Sequence, residues 1–384
     1  MIRLTMDLGR GLRVSALAIA MLLAGSCPAA ETAPASAAAS TTSAPVPGNS
    51  VEMPLEQRLE RAMKGFADAA IETFAASSSA RERWIAGLML ADKAMRSGAS
   101  DEVAAALSAR AQTLFDSTLD DAAKDSTLLF WVLFDPPLRG QQEGAAWAQA
   151  RLKILGQLQK LEPDNAVVWL ANLPRRDDPG AIPIAIEMLA QAAASKRFET
   201  HFASSMRALL SAFDRVPLPK DWPDTSQLAG WEKVRPEDVR VIMAVGVGSA
   251  LAMPYLVGVQ WWCDGNSAEH PWLPDCRKLV HSMVERSDAI VPYSLALALS
   301  GKLHPADSDE ARHALKLRRN LAWVVEKGMQ QVGPGQPVSF AVWRKSWQKP
   351  GATELSVARD LVAAQKLPPE PPADFVPAWD KESE

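Results

Sequence analysis

Residues 275–287 read DCRKLVHSMVERS, and the placing of their apolar side chains decides the fold class. Cys276, Leu279, Val280, Met283 and Val284 fall at i, i+3, i+4, i+7 and i+8. On a helix of 3.6 residues per turn these positions form one stripe. Arg277, Lys278, His281 and Glu285 point elsewhere. The same period returns in RERWIAGLMLADKAMRS, residues 81–97, through Trp84, Ile85, Leu88, Met89 and Met95, with Gly98 as a stop signal. It returns again in RFETHFASSMRALLSAFDR, residues 197–215, through Phe198, Phe202, Met206, Leu209, Leu210 and Phe213. Period-two alternation is scarce, and clusters of Val, Ile, Thr and Tyr flanked by hairpin dipeptides are missing. Ala and Leu dominate, which favours helix.

The predicted helices are short and broken by Pro- or Gly-containing turns: FDPPLRG (134–140), RRDDPGAIP (175–183), RVPLPKDWPD (215–224) and LHPADSD (303–309). That is the rhythm of helical hairpins stacked side by side. One stretch, AWAQARLKILGQLQKLEPDNAVVWLANL (146–173), resembles the junction between tetratricopeptide repeats. A helix is followed by Leu161, Glu162, Pro163, Asp164 and Asn165, then by a helix with Trp169 in its first turn. Pro163 is read as opening that second helix, where a missing N–H costs nothing. Leu158 and Pro174 depart from the repeat, and no 34-residue period runs along the chain. The expected fold is all-α: an irregular tetratricopeptide-like stack of helical hairpins, α-solenoid-like, with one intra-chain disulfide. A second resemblance covers the whole body. The order is an Ala/Gly-rich apolar helix with a central proline, a Cys, a short loop, a second Cys, and an amphipathic helix ending at Met283 and Ser287–Asp288. It is similar to a group of uncharacterised exported bacterial helical proteins, and implies architecture and compartment only.

Domain organisation follows composition. Residues 1–26 run from three arginines and one aspartate into the apolar VSALAIAMLLAG and then small residues, the order of a bacterial export signal. Ala24, Gly25 and Ser26 precede Cys27, a candidate lipidation site, although Leu23 stands one place earlier than in the usual lipoprotein pattern. Ordinary cleavage before Cys27 or after Ala29 is the alternative. Residues 27–53 are an Ala/Ser/Thr/Pro tether that buries too little to offset its ordering entropy. The α-helical body spans 54–367, with two lobes meeting near 215–235, and residues 368–384 form a Pro-rich acidic tail, extended or disordered. Within that tail, Phe375 and Trp379 are free to dock back on the body or to serve a partner. The uncharged run Val241 to Trp262 is long enough to cross a membrane. Its Pro254 and its amphipathic neighbours place it in a buried core, with its glycines allowing close helix approach.

Candidate chemistry concentrates in WWCDGNSAEHPWLPDC, residues 261–276. Three readings of Cys263 and Cys276 are open. A metal site would need His270 and a fourth ligand from Asp264, Asp275, Glu269 or His281, but no C-x-x-C is present. A nucleophilic cysteine would need an activating histidine and acid. A disulfide needs only proximity and an oxidising compartment, and closing such a loop contributes roughly 3 kcal/mol. We take the disulfide as the expectation, covered by Trp261, Trp262 and Trp272.

Other motifs are thin. SWQK (346–349) matches S-x-x-K but lacks S-D-N and K-T-G, and is read as a solvent-facing turn. His201, His270, His281, His304 and His313 are scattered. Asp120–Asp121 and Asp177–Asp178 are read as carboxylates at helix starts. The thirteen tryptophans sit mostly at core spacing; a concave aromatic face that anchors a peptide or glycan is the alternative. No cofactor, metal or catalytic pattern emerges. The net charge of −4 becomes about −6 once residues 1–26, which carry +2, are removed; nucleic acid needs the opposite sign. The expected function is a non-catalytic exported helical scaffold binding a protein or peptide partner in the cell envelope, with membrane contact only through a lipid anchor. An envelope hydrolase with a site from sequence-distant residues, and a lipid-anchored assembly protein, are the alternatives.

Overall fold

A computed structural model describes residues 53–96, 101–134, 145–178, 180–251, 256–264 and 270–378. The expected export signal, Cys27, nearly all of the expected tether and Gly98 lie outside the described residues. Those described contain fifteen α-helices, one 3₁₀ turn at Met329–Gln331, and no β-strand. In chain order we number the helices α1 (Leu55–Ala75), α2 (Ala80–Arg96), α3 (Asp101–Ala122), α4 (Ser126–Phe134) and α5 (Ala145–Leu161). Next come α6 (Ala166–Leu170), α7 (Ala181–Ala194), α8 (Phe202–Asp214), α9 (Asp238–Leu251) and α10 (Val257–Trp262). The last five are α11 (Leu273–Arg286), α12 (Ile290–Leu303), α13 (Asp309–Lys327), α14 (Phe340–Trp347) and α15 (Glu354–Ala364).

The periodic stripes are the packing faces. On α11, Cys276, Leu279, Val280 and Met283 are buried, while Asp275 and Arg286 sit at the ends that the helix dipole favours. On α1 the buried face runs Leu59, Met63, Phe66, Ala70 and Phe74. Most helices pack on their neighbours in sequence, as in a stack of hairpins. Others close the chain on itself: α9 packs on α1, α14 on α8 and α9, α7 on α11, and α15 on α13. Gly248 permits one such approach, because a Cβ there would lie 2.3 Å from Met206 Sδ and 3.2 Å from Leu209 Cδ1 of α8. Three apolar cores result. The largest joins α1–α5 to α8, α9, α14 and α15 and includes Val216, Trp231 and Val234 of the 215–235 segment. A second surrounds the cysteines, and the third lies between α12, α13 and α15.

Several sequence expectations need correction. Met95 is 76 % exposed, because α2 has left the core by its last turn. Phe198 is buried but precedes α8, which starts only at Phe202 after His201 takes a left-handed backbone (φ 60°). Pro163 lies in the turn before α6; Asn165 is the N-cap, its side chain accepting from Val167 N–H. Asp120–Asp121 lie in the last turn of α3, the unfavourable dipole end, where Asp121 is paired with Arg83 at 2.7 Å. The S-x-x-K stretch is no solvent-facing turn. Ser346 and Trp347 are buried in α14, Ser346 Oγ donates to Val342 O, and Lys349 pairs with Asp360. Helical spacing drives Trp347 inward and takes Ser346 with it. No helix among the described residues is long and apolar enough to cross a membrane. Residues 241–262 instead supply α9 and α10, with 252–255 outside the described residues.

Candidate functional site: a buried polar junction between the cores

The opening question of the cysteine loop resolves first. Cys263 and Cys276 are bonded to each other, with Cα atoms 5.5 Å apart, and both are fully buried. Trp262 and Trp272 are buried beside them and meet edge to face at 5.2 Å; Trp261 is only half-buried. Trp272 Nε1–H donates to Trp262 O and Trp262 Nε1–H to Pro174 O, so both indoles are anchored. His270 stacks on Trp272 at 4.1 Å and its Nε2 meets Arg176 at 2.8 Å. The bridge ties the end of α10 to the first turn of α11. Reduction, or the paired Cys263→Ser and Cys276→Ser substitutions, is expected to lower unfolding free energy by about 3 kcal/mol. A urea midpoint unmoved by reductant would falsify the staple.

The other polar residues converge elsewhere, at a junction that the sequence reading missed. His201 is 3 % exposed, Glu162 6 % and Thr127 4 %. His201 Nε2 lies 3.0 Å from Glu162 Oε2, and its Nδ1 lies 3.2 Å from Thr127 Oγ1. Carboxylate, imidazole and hydroxyl thus stand in line, brought together from α4, the end of α5 and the residue before α8. Asn165 Nδ2 donates to Glu162 Oε2 and to Glu199 O, while its Oδ1 accepts from Glu199 N–H and Val167 N–H. That fills the amide's hydrogen-bonding capacity, as a fully buried Asn requires. Burial pushes the Glu162 carboxyl up, but His201, Asn165 and Ser126 outweigh it and hold it at about 2.

The junction continues through two helix caps. α8 has no capping side chain of its own, and Asp288 supplies the acceptors from across the fold. Its Oδ1 accepts from Thr200 N–H (2.8 Å) and Thr200 Oγ1 (2.7 Å), and its Oδ2 from Ala203 N–H at 3.4 Å. α12 follows Ala289, which cannot cap it, and Glu354 Oε2 accepts from Ile290 N–H at 2.7 Å. Glu354 N–H in turn donates to Asp288 O. Carboxylates from distant elements thereby occupy orphan N–H groups that local residues leave open.

Burial and the nearby Asp288 charge raise the Glu354 carboxyl to about 7, against the lowering by Ile290 N–H. An acid whose folded value lies above its unfolded 4.5 contributes stability in its protonated form. That contribution is present below about 4.5 and is lost as pH rises through about 7. Glu354→Gln keeps an acceptor for Ile290 and removes the charge. The variant is expected to match the parent near pH 4 and to exceed its stability by on the order of 3 kcal/mol at pH 8. Equal urea midpoints at both pH values would mean that Glu354 titrates as an exposed acid does.

In chemical terms the Glu162–His201–Thr127 order is that of an activated hydroxyl. The hydroxyl, on the first turn of α4, is nonetheless buried, with Ser204 Oγ 3.5 Å away, and Trp131 Nε1–H donates to Ser205 Oγ in the same layer. The remaining histidines lie apart from it. His281, His304 and His313 line a cavity of about 210 Å³ with Arg277 and Glu310. Among the described residues no three His, Cys, Asp or Glu are grouped to hold a metal ion. Asp177 pairs with Arg175, and Asp178 accepts from Arg175 N–H ahead of α7. Of the tryptophans, eight are buried, among them Trp84, Trp131, Trp262 and Trp347. Trp169, Trp222 and Trp261 are half-buried, and the side chain of Trp147 and all of Trp379 lie outside what is described.

One surface feature stands out. Past α15, Lys366 adopts a left-handed backbone (φ 58°) and Leu367 N–H bonds to Val362 O, turning the chain onto α13. Trp323 Nε1–H donates to Pro368 O at 2.9 Å. The Arg319 guanidinium donates to the carbonyls of Pro372, Ala373 and Phe375. Phe375 meets Trp323 edge to face at 5.1 Å, and Ala378 N–H reaches Glu326 at 2.8 Å. The Pro-rich tail is therefore docked along α13 as far as Ala378. Beside it lies a cavity of about 480 Å³ between α12, α13, α15 and the tail, lined by Tyr293, Leu317, Leu321, Leu355 and Val362 with Arg359. No protein-family model, curated protein or solved structure matches the chain.

Proposed function

We propose that this chain is a non-catalytic helical scaffold exported to the bacterial cell envelope, where it holds a protein or peptide partner. Its hairpins would be stacked in an irregular, tetratricopeptide-like way. The observation that carries this reading is the α13 face, which already receives a proline-rich segment by donating to that segment's main-chain carbonyls. Burial of the acid–imidazole–hydroxyl array supports a scaffold over a hydrolase. The cysteine bridge supports an oxidising compartment, and the apolar run ahead of Cys27 supports a lipid anchor.

Photo-crosslinking residues placed singly at Leu317, Leu152 and Ile182 in intact cells test the scaffold. A reproducible adduct with one protein, from one position and not the others, is expected. Absence of any adduct, or equal labelling from all three, would sink it. Intact mass of the membrane fraction tests the anchor: a mature chain starting at Cys27 with added diacyl mass is the expected result, and a start near Ala30 defeats it.

A further inference from the structure

We propose that the α13 face holding residues 368–378 is a docking site for a proline-rich segment of a partner protein, with the chain's own tail as its built-in competitor. The proposal rests on the scaffold reading and names the partner's chemistry.

The contacts carry it. Arg319 and Trp323 between them donate to carbonyls of Pro368, Pro372, Ala373 and Phe375. These are main-chain acceptors. Proline-rich chain suits them because each proline lacks an N–H, so few internal donors compete for its carbonyls; in the tail Pro372 O accepts both from Arg319 and from Phe375 N–H across a turn at 373–374. Side-chain selection comes from one aromatic contact, Phe375 on Trp323. Lys327 lies 6.0 Å from the same indole, and with Arg319 it suits a segment bearing acids, as the tail does at Glu370 and Asp374.

The tail is held lightly enough to be exchanged. Pro368, Pro369, Glu370, Pro372, Ala373 and Asp374 remain exposed while docked. The apolar hold is confined to its ends, where Leu367 and Phe375 pack on the third core and Pro377 is buried, with Pro371 half-buried between them, so loosening one end favours local opening. A tethered tail nonetheless competes at millimolar effective concentration. A partner segment gains access when the tail is weakened or when its own affinity exceeds that competition. The cavity beside the tail leaves apolar wall at Leu317 and Leu355 for a bulkier segment to cover.

The probe is a fluorescent synthetic peptide of residues 366–378, KLPPEPPADFVPA, titrated with the full chain by anisotropy. Phe375→Ala in the chain, which loosens its own tail, is expected to tighten peptide binding at least tenfold over the unaltered chain. Adding Arg319→Ala, or the milder Arg319→Gln, should weaken it at least tenfold again. Replacing the peptide's prolines by alanine should do the same. Circular dichroism checks that each variant stays folded. Peptide uptake by Phe375→Ala no greater than by the unaltered chain overturns the proposal, as does indifference to both Arg319 substitutions. A Phe375-dependent dimer of the unaltered chain in light scattering also overturns it, because the occupant is then a second copy's tail. Adducts from Leu152 or Ile182 combined with failed peptide binding would leave the scaffold standing and remove only this site.

Discussion

Replacing Glu162 by alanine is expected to lower unfolding free energy by about 3–5 kcal/mol at neutral pH. The reason is what stays behind. His201 Nε2–H and Asn165 Nδ2 both point at Glu162 Oε2, and both are cut off from water. Removing the acceptor leaves two buried donors unpaired, and the cost of such orphans exceeds the net worth of the bonds themselves. The double Glu162→Ala, His201→Ala change should cost less than the sum of the two single changes, since the two residues act through one contact; a double-mutant cycle isolates that coupling. The pH dependence has a fixed sign. Glu162 is held at about 2, below its unfolded 4.5, so its contribution is present above 4.5 and fades as pH falls towards 2. Urea denaturation of parent and Glu162→Ala should therefore converge in acid. A loss below about 1 kcal/mol at pH 7 would mean that water reaches the junction and satisfies the orphans.

Trp347→Ala should be comparably damaging, at about 3–5 kcal/mol. Trp347 is fully buried and joins α14 to α8 by packing against Phe202 at 5.7 Å and Trp343 at 5.8 Å. Truncation opens a cavity that the two helices cannot close together, because each is held by other contacts. Trp347→Phe is the control. The indole N–H has no hydrogen-bond partner, so phenylalanine loses volume without losing a bond. It should cost clearly less than alanine. Equal losses for the two variants, measured as urea midpoints, would point to something other than packing.

The sequence by itself determined the parts whose physics is local. Helix content, the stripe on α11 and the cap at Ser308, which accepts from Ala311 N–H, depend on residues within one or two turns of each other. The disulfide was legible because only two cysteines lie in the body, and pairing them needs only proximity and an oxidising compartment. The α8 stripe was legible too, although its start was misplaced: the left-handed His201 interrupts a pattern that apolar spacing alone carries through.

Tertiary structure alone decided the junction and the tail. Glu162 and His201 are 39 residues apart, Thr200 and Asp288 are 88, and Ile290 and Glu354 are 64. In the sequence Glu162 is one residue of a turn, His201 one of five scattered histidines, and Glu354 an acid at an ordinary helix start. Nothing in their spacing states that they meet, because a cap or a buried pair needs an acceptor at the right distance and is indifferent to where the chain supplies it. A Leu-Glu-Pro-Asp-Asn turn between two apolar helices was the one signal that a polar group would be enclosed there. Likewise, Pro-rich acidic composition read as an extended or disordered tail, with docking on the body or service to a partner both open. Arg319 and Trp323 dock it because their donors face the carbonyls that prolines leave unpaired.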